Sequence, residues 1–338
     1  MQNKLLYLSW LPPFSRSEKI SDYERECKPV LWQEKRIQSL DGTKLSICEG
    51  HIPADTPPKS AQVNSRKKLV VICYFQGNGG SMPLRLPLLS QFLNSIVTRS
   101  KTSKAELDET NYIVVGLSYR GYWTSSGTAT QSGIERDALA FLTWVSDTYS
   151  APNTDCQMVL WGHSLGAAVA SSTISRYLAR LELRPPRNCP LAPISGLVME
   201  APISNIKDML IALYPQKWLP YRYLWPFSWN TWCSSKALEQ LAEFRNRGAN
   251  SLPAKSSNST YGGPVRSVPP ILILAAEKDE VIPDHVAGQL EQRGQEIGLD
   301  VSRQVVLGAM HTECPIRSEG RDALVKFILQ HTGPRAGM

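Results

Sequence analysis

A doubly wound, mainly parallel α/β sheet is the fold class this sequence predicts, and three observations predict it. Short, near-continuous apolar runs recur along the 338 residues, as suits strands buried on both faces of a sheet. Between them lie segments whose apolar residues recur at helical spacing. One run, Met158–Trp161, leads straight into Gly162-His163-Ser164-Leu165-Gly166 and then into small apolar residues, Ala167, Ala168, Val169, Ala170 and Ile174. Strand alternating with helix implies parallel strands joined by crossovers.

Residues 1–29 read as an N-terminal extension with no fold of its own. Within it Leu5–Leu11 is apolar but too short to span a bilayer. It is expected to be an interfacial anchor, the remnant of a longer hydrophobic N-terminus or a helix packed on the domain, the last two being favoured. A core is then expected over 30–202 and 269–331. Val30–Ile37 and Lys44–Cys48 flank Asp41-Gly42, a turn signal, so an antiparallel pair opens the core. Pro53–Lys68 is a polar loop. Leu69–Phe75 is a buried strand running into Gln76-Gly77-Asn78-Gly79-Gly80, and Leu84–Val97 is a helix. Tyr112–Leu117 is the next strand and Ile134–Val145 the next helix. After the Ser164 segment, Arg184–Pro193 is a Pro-rich connection to a sixth strand, Gly196–Met199.

The rhythm then breaks over 203–268, between the sixth and seventh strands. Tyr214–Trp232 holds Trp218, Trp225, Trp229 and Trp232, and Ser251–Ser267 is polar. An insertion at this point reads as a cap over the carboxyl edge of the sheet. The strand Ile271–Ala276, the helix His285–Ile297, the strand Val301–Val306 and the helix Arg317–Gln330 complete the core, and 332–338 is a tail.

Composition narrows the function classes. With 42% hydrophobic and 20% charged residues the chain is that of a globular protein. Its net charge of +7 is spread out, with no basic run interleaved with aromatics, which argues against a nucleic-acid partner. Attraction to an anionic membrane surface is the sharper reading of that charge. The seven cysteines are scattered without a C-x-x-C pair, which argues against a disulfide framework or a metal site and fits a reducing compartment.

The chemistry centres on Ser164. A strand, G-x-S-x-G and a helix together make a nucleophile elbow, in which the two glycines leave room for a strained serine. The Leu165 N–H at the helix start then points where an oxyanion forms. Serine needs a base, and the base needs a carboxylate to fix its tautomer. In such sheets the acid and then the histidine follow the nucleophile along the chain. His285 lies too near Asp279, and His331 is in the terminal segment, so His311, in the loop after the last strand, is the expected base. Asp279, after the preceding strand, is the expected acid, with Glu277, Glu280 and Glu200 as alternatives. The Asn78 backbone N–H is the expected second oxyanion donor. Gln76, Gly77, His163, Trp218 and Trp225 are expected to line the substrate pocket. The glycine-rich loop lacks the spacing of a nucleotide site.

The ordered set Tyr74–Gly80, Tyr119–Gly127, Gly162–Gly166, Glu277–Pro283 and Gly308–His311 resembles the α/β-hydrolase superfamily. Within it, the chain is similar to the fungal bud-emergence-type hydrolases and their lysophospholipid and monoacylglycerol lipase relatives. The resemblance implies the α/β-hydrolase fold, a Ser164–Asp279–His311 triad, and cleavage of an ester, thioester or acylglycerol without a cofactor. It also implies a small acyl ester or lipid as partner. An intracellular setting follows, cytoplasmic or peripheral on an internal membrane such as the endoplasmic reticulum. Serine aminopeptidase-like members share these motifs. Non-catalytic scaffolds of the fold usually lose a triad residue, whereas here all three positions are filled. The family usually has His where this chain has Gln76 and Asp where it has Ser118, and many relatives begin with a membrane-spanning helix.

Overall fold

The computed structural model describes residues 2–53, 67–103, 110–183, 191–214, 216–223, 225–247 and 266–333. Eight strands form one sheet: β1 Leu31–Gln38, β2 Lys44–His51, β3 Lys67–Phe75, β4 Thr110–Ser118, β5 Thr154–His163, β6 Ile194–Glu200, β7 Ile271–Ala276 and β8 Val301–Val306. Their order is β1-β2-β4-β3-β5-β6-β7-β8. β1 pairs antiparallel with β2, and β2 with β4. Every later pairing is parallel. The expected Asp41-Gly42 turn joins β1 and β2, with Gly42 at φ +81°.

The helices are α1 Gln2–Leu6, α2 Glu24–Cys27, α3 Leu86–Ser103, α4 Gln131–Tyr149, α5 Leu165–Leu183, α6 Ile206–Leu213, α7 Ser234–Arg247, α8 His285–Glu296 and α9 Ser318–Thr332. They cover the sheet in two layers. Leu86, Leu89, Phe92 and Leu93 of α3 share one core with Leu324 and Ile328 of α9. Ile134 and Phe141 of α4, Ala167 and Ile174 of α5, Leu238 and Leu241 of α7, and Val286 and Leu290 of α8 share the other. β6 and β7 are buried along their whole length, which is why they read as unbroken apolar runs.

Where sequence and structure differ, the cause is local. β5 extends from the four-residue apolar run into Thr154–Gln157, because these polar residues continue the ladder with Lys67–Val70 of β3. α3 starts at Leu86 after a short 3₁₀ turn over Pro83–Arg85. α4 starts earlier than its apolar stripe, at Gln131, where the Thr130 side chain accepts from Gly133 N–H as the N-cap. The N-terminal extension is not detached from the domain: Leu6, Tyr7 and Cys27 are buried. The insertion is also smaller than 203–268 suggested. Asn205 and Cys233 form an isolated bridge, and Ser234 N–H donates to Ser204 O, closing the excursion at its base. α7 thereafter belongs to the helix layer, since its Leu238 and Leu241 enter the sheet core. Most of the expected loops over Pro53–Lys68, Arg184–Pro193 and Ser251–Ser267 fall outside the described residues, as does Cys189. Among the described residues no helix is long and apolar enough to cross a membrane.

Candidate active site

The turn between β5 and α5 explains its glycines in atoms. A Cβ on Gly162 would lie 2.2 Å from Gly166 O, and one on Gly166 would lie 2.0 Å from Phe75 O. The chain therefore passes through a space no side chain fits. Ser164 sits at φ +53°, in left-handed backbone that a non-glycine residue adopts only under constraint. Two hydrogen bonds impose it: Ser164 N–H donates to Glu200 O at 2.8 Å, and Ala167 N–H donates to Ser164 O at 3.0 Å. Leu165, the first residue of α5, is buried with its backbone at the positive end of the helix.

The loops after β7 and β8 meet at the same edge. His311 Nδ1–H donates to Asp279, with oxygens at 2.9 and 3.0 Å, and both side chains are nearly sealed from solvent. Asp279 Oδ1 also accepts from Val281 and Ile282 N–H at 2.9 and 2.7 Å, which fixes the carboxylate. Of the alternative acids, Glu280 accepts from the His311 backbone N–H at 3.0 Å and Glu277 from Gly308 N–H at 2.7 Å. Glu200 accepts from Trp161 Nε1–H at 2.8 Å. Asp279 is thus the carboxylate on the His311 ring, and its neighbours hold the loop backbone. The His311 loop docks on the elbow through His163, whose Nε2–H donates to His311 O at 3.2 Å one residue before Ser164.

Two buried groups beside the elbow have displaced protonation. Burial holds the His163 imidazole well below its ordinary range, helped by the charge of Arg85 and then of His311. Burial pushes the Glu200 carboxyl up to about 7, against the charge of Arg85 and the Trp161 hydrogen bond.

The loop Gln76–Gly80 lies against the elbow: a Cβ on Gly77 would be 2.6 Å from His163 Nδ1. Gln76 is buried, and Tyr119 OH donates to its carbonyl at 2.9 Å. Asn78 is held through its side chain. Its Oδ1 accepts from Leu8 N–H at 3.0 Å and Tyr122 OH at 2.9 Å, and its Nδ2 donates to Leu6 O at 2.6 Å. Gly80 N–H donates to Leu11 O at 2.6 Å. The N-terminal segment is therefore a strap across this loop, and it reaches the cap as well. Tyr7 OH donates to Asn230 Oδ1 at 2.7 Å and accepts from Trp232 Nε1–H at 2.9 Å.

Of the residues expected to line the pocket, Gln76, Gly77 and His163 stand at the elbow. Trp218 and Trp225 do not fit: they are 78% and 43% exposed, so neither is enclosed. Lys207 Nζ lies 5.2 Å from the Trp225 ring instead. Trp225 opens a three-residue 3₁₀ turn and Trp218 lies in a turn ahead of another, so neither has a helix face to bury, and Trp232 is the cap tryptophan that turns inward. Sequence reasoning missed the Tyr7–Asn230–Trp232 and Leu6–Leu8–Asn78 contacts and the charge of Arg85 behind the site. The first set joins residues more than 220 positions apart and leaves no local pattern.

Comparison with known proteins places the chain among proteins of one family and one fold. The family described as "Alpha/beta hydrolase family" matches residues 90–327. The lysophosphatidylserine lipase ABHD12 of Rattus norvegicus is 28% identical over 224 residues, 65% of this chain and 44% of that protein. Protein bem46 of Schizosaccharomyces pombe is 23% identical over 222 residues, 66% of this chain and 55% of that one. The chain thus spans about half the length of these curated relatives or less. Among solved structures, an α/β hydrolase from Vibrio vulnificus superposes with a TM-score of 0.59 at 14% identity, covering 96% of this chain and 91% of its own. The Pyrococcus furiosus esterase Pf2001 does so with a TM-score of 0.57 at 16% identity, covering 94% and 95%.

Proposed function

For a chain that belongs to the alpha/beta hydrolase family, we propose the activity of a serine hydrolase that cleaves acyl esters through Ser164, His311 and Asp279. The observation that carries this reading is the His311–Asp279 hydrogen bond, docked through His163 onto the elbow that strains Ser164. Ser164 Oγ attacks the acyl carbon as His311 Nε2 takes its proton, and Asp279 stabilises the imidazolium. The ester C–O bond breaks, the alcohol leaves with the proton from His311, and water then attacks the acyl-enzyme with His311 again as base. The N–H groups of Leu165 and Asn78 donate to the oxyanion in both halves.

The relatives named as lysophosphatidylserine lipases put lipid acyl esters first among substrates to test. The cap supports work at a lipid surface. Trp218, Phe227 and Trp229 are exposed there at 78%, 74% and 92%, beside Lys207 and Lys217, a combination suited to an anionic interface. The cysteines other than Cys189 are free thiols, which supports a reducing compartment.

The test is labelling by a fluorophosphonate probe, with Ser164→Ala as control, followed by p-nitrophenyl esters of increasing chain length. Labelling should vanish in the variant, and kcat should fall on the order of a million-fold. Labelling that survives in Ser164→Ala, or a folded wild type that neither labels nor turns over any ester, overturns the reading.

A further inference from the structure

Among the described residues, five side-chain polar atoms are buried without a partner, and three of them lie together beside the elbow: Oε1 and Nε2 of Gln76 and Nδ1 of His163. Gln76 is 1% exposed and His163 2%, so bulk solvent does not reach them. Buried polar groups are nearly always hydrogen-bonded, and orphans concentrated at one place point to a polar group that completes them. The proposed reaction assigns the Gln76 side chain no part and uses only Nε2 of His163.

The two residues stand side by side. β3 and β5 run parallel, with Tyr74 beside Trp161 and Phe75 beside Gly162. Gln76 and His163 are the next residues of each chain segment. Strand alternation returns both to the face on which the Tyr74 and Trp161 rings meet edge to face, centroids 5.2 Å apart. On its other side His163 pairs with Glu200 of β6, whose carboxyl already accepts from Trp161 Nε1–H. Gly77 keeps the imidazole uncovered, since a Cβ there would lie 2.6 Å from Nδ1. The position of the ring proton matters to the base. Burial, with the charges of Arg85 and His311, keeps His163 neutral, so its ring carries a single proton. The bond to His311 O at 3.2 Å requires that proton on Nε2. Moved to Nδ1, it would leave a lone pair facing the carbonyl, and the loop that carries the base would lose this hold on the elbow.

We propose that one internal water molecule, held by the Gln76 amide, donates to His163 Nδ1, and that Gln76 is thereby a positioning residue for the base. With a donor fixed at Nδ1, the His163 proton stays on Nε2, where it docks the His311 loop. Water suits the place because it donates and accepts at once and needs only a few polar partners. No covalent bond is made or broken. The catalytic consequence rests on the ester-hydrolase reading, whereas the water bridge and the tautomer are properties of the resting protein.

The experiment combines nitrogen-15 spectra of histidine-labelled protein with ester kinetics. The His163 signals are assigned by their loss in His163→Gln. Wild type should show a protonated Nε2 and a bare, hydrogen-bonded Nδ1. Gln76→Met, of similar length and without a polar group to hold the water, should move the Nδ1 resonance to that of a nitrogen with no hydrogen bond. It should also lower kcat on a short p-nitrophenyl ester about tenfold with little change in KM. Gln76→His, which keeps an N–H donor, should restore most of both. A double-mutant cycle separates this role from support of the neighbouring loop. In a His163→Gln background an amide N–H donates to His311 O with no tautomer to set, so adding Gln76→Met should cost less than about twofold. A wild-type proton on Nδ1, an Nδ1 resonance unchanged in Gln76→Met, or an equal loss of kcat in the His163→Gln background overturns the proposal. A wild type that hydrolyses no ester refutes the hydrolase reading instead, and the nitrogen spectra still decide the water bridge.

Discussion

Replacing Asn78 by Ala should separate the side chain that holds the proposed oxyanion loop from the backbone N–H that serves it. The substitution removes three hydrogen bonds, two accepted by Oδ1 and one donated by Nδ2. It leaves the N–H of Leu8 and the carbonyl of Leu6 without their partner, and the fully buried Tyr122 hydroxyl without its acceptor. Net hydrogen bonds of this kind contribute about 1 kcal/mol each, and a buried orphan costs about 1–3 kcal/mol, so a loss of about 3 kcal/mol is expected. Urea denaturation at neutral pH measures it. Asn78→Asp keeps both acceptor roles and loses only the donation to Leu6 O, so it should lose less stability than Ala despite the carboxylate facing a carbonyl. In catalysis the backbone N–H remains while its position loosens, and kcat on a short ester should fall about tenfold to a hundredfold, with less change in KM. An Asn78→Ala protein as stable as wild type, with the same kcat, would refute the argument that the strap organises the loop.

Two further perturbations read the buried charges. Glu200→Gln keeps the acceptor for Trp161 and removes the titration. The unfolded chain releases the Glu200 proton near 4.5, whereas the folded protein holds it to about 7, so wild-type stability falls as pH rises through that window. The variant should be more stable than wild type by about 3 kcal/mol at about pH 8, and the gap should close by about pH 4, in urea melts across that range. Arg120→Ala strands Asp137, which is wholly buried, and should cost about 3–5 kcal/mol at neutral pH. Arg120 hydrogen bonds hold the Asp41 carboxyl well below the usual carboxylate range, so its contribution is present at neutral pH and is lost as pH falls through that lowered value. The gap between Arg120→Ala and wild type should accordingly narrow in acid, and a gap that widens there would count against the network.

The parts of this fold that were legible in the sequence are those enforced by local physics. β6 and β7 read as apolar runs because they are buried on both faces, and Gly162 and Gly166 read as an elbow because no side chain fits there. The order of Ser164, Asp279 and His311 followed from which loops end on one sheet edge. Distinguishing Asp279 from Glu277 and Glu280 required coordinates, since three carboxylates within four residues differ only in which way each side chain turns. Tyr7 and Trp232 illustrate the opposite case. Nothing near Tyr7 in the chain sets it apart from an exposed aromatic such as Trp10, because its burial depends on Asn230 and Trp232. The cap tryptophans divide on the same ground. Trp232 precedes α7 and is drawn inward where that helix joins the core, whereas Trp218 and Trp229 lie on segments that pack no helix face against the sheet. An aromatic-rich stretch thus marks a cap without saying which rings line a pocket.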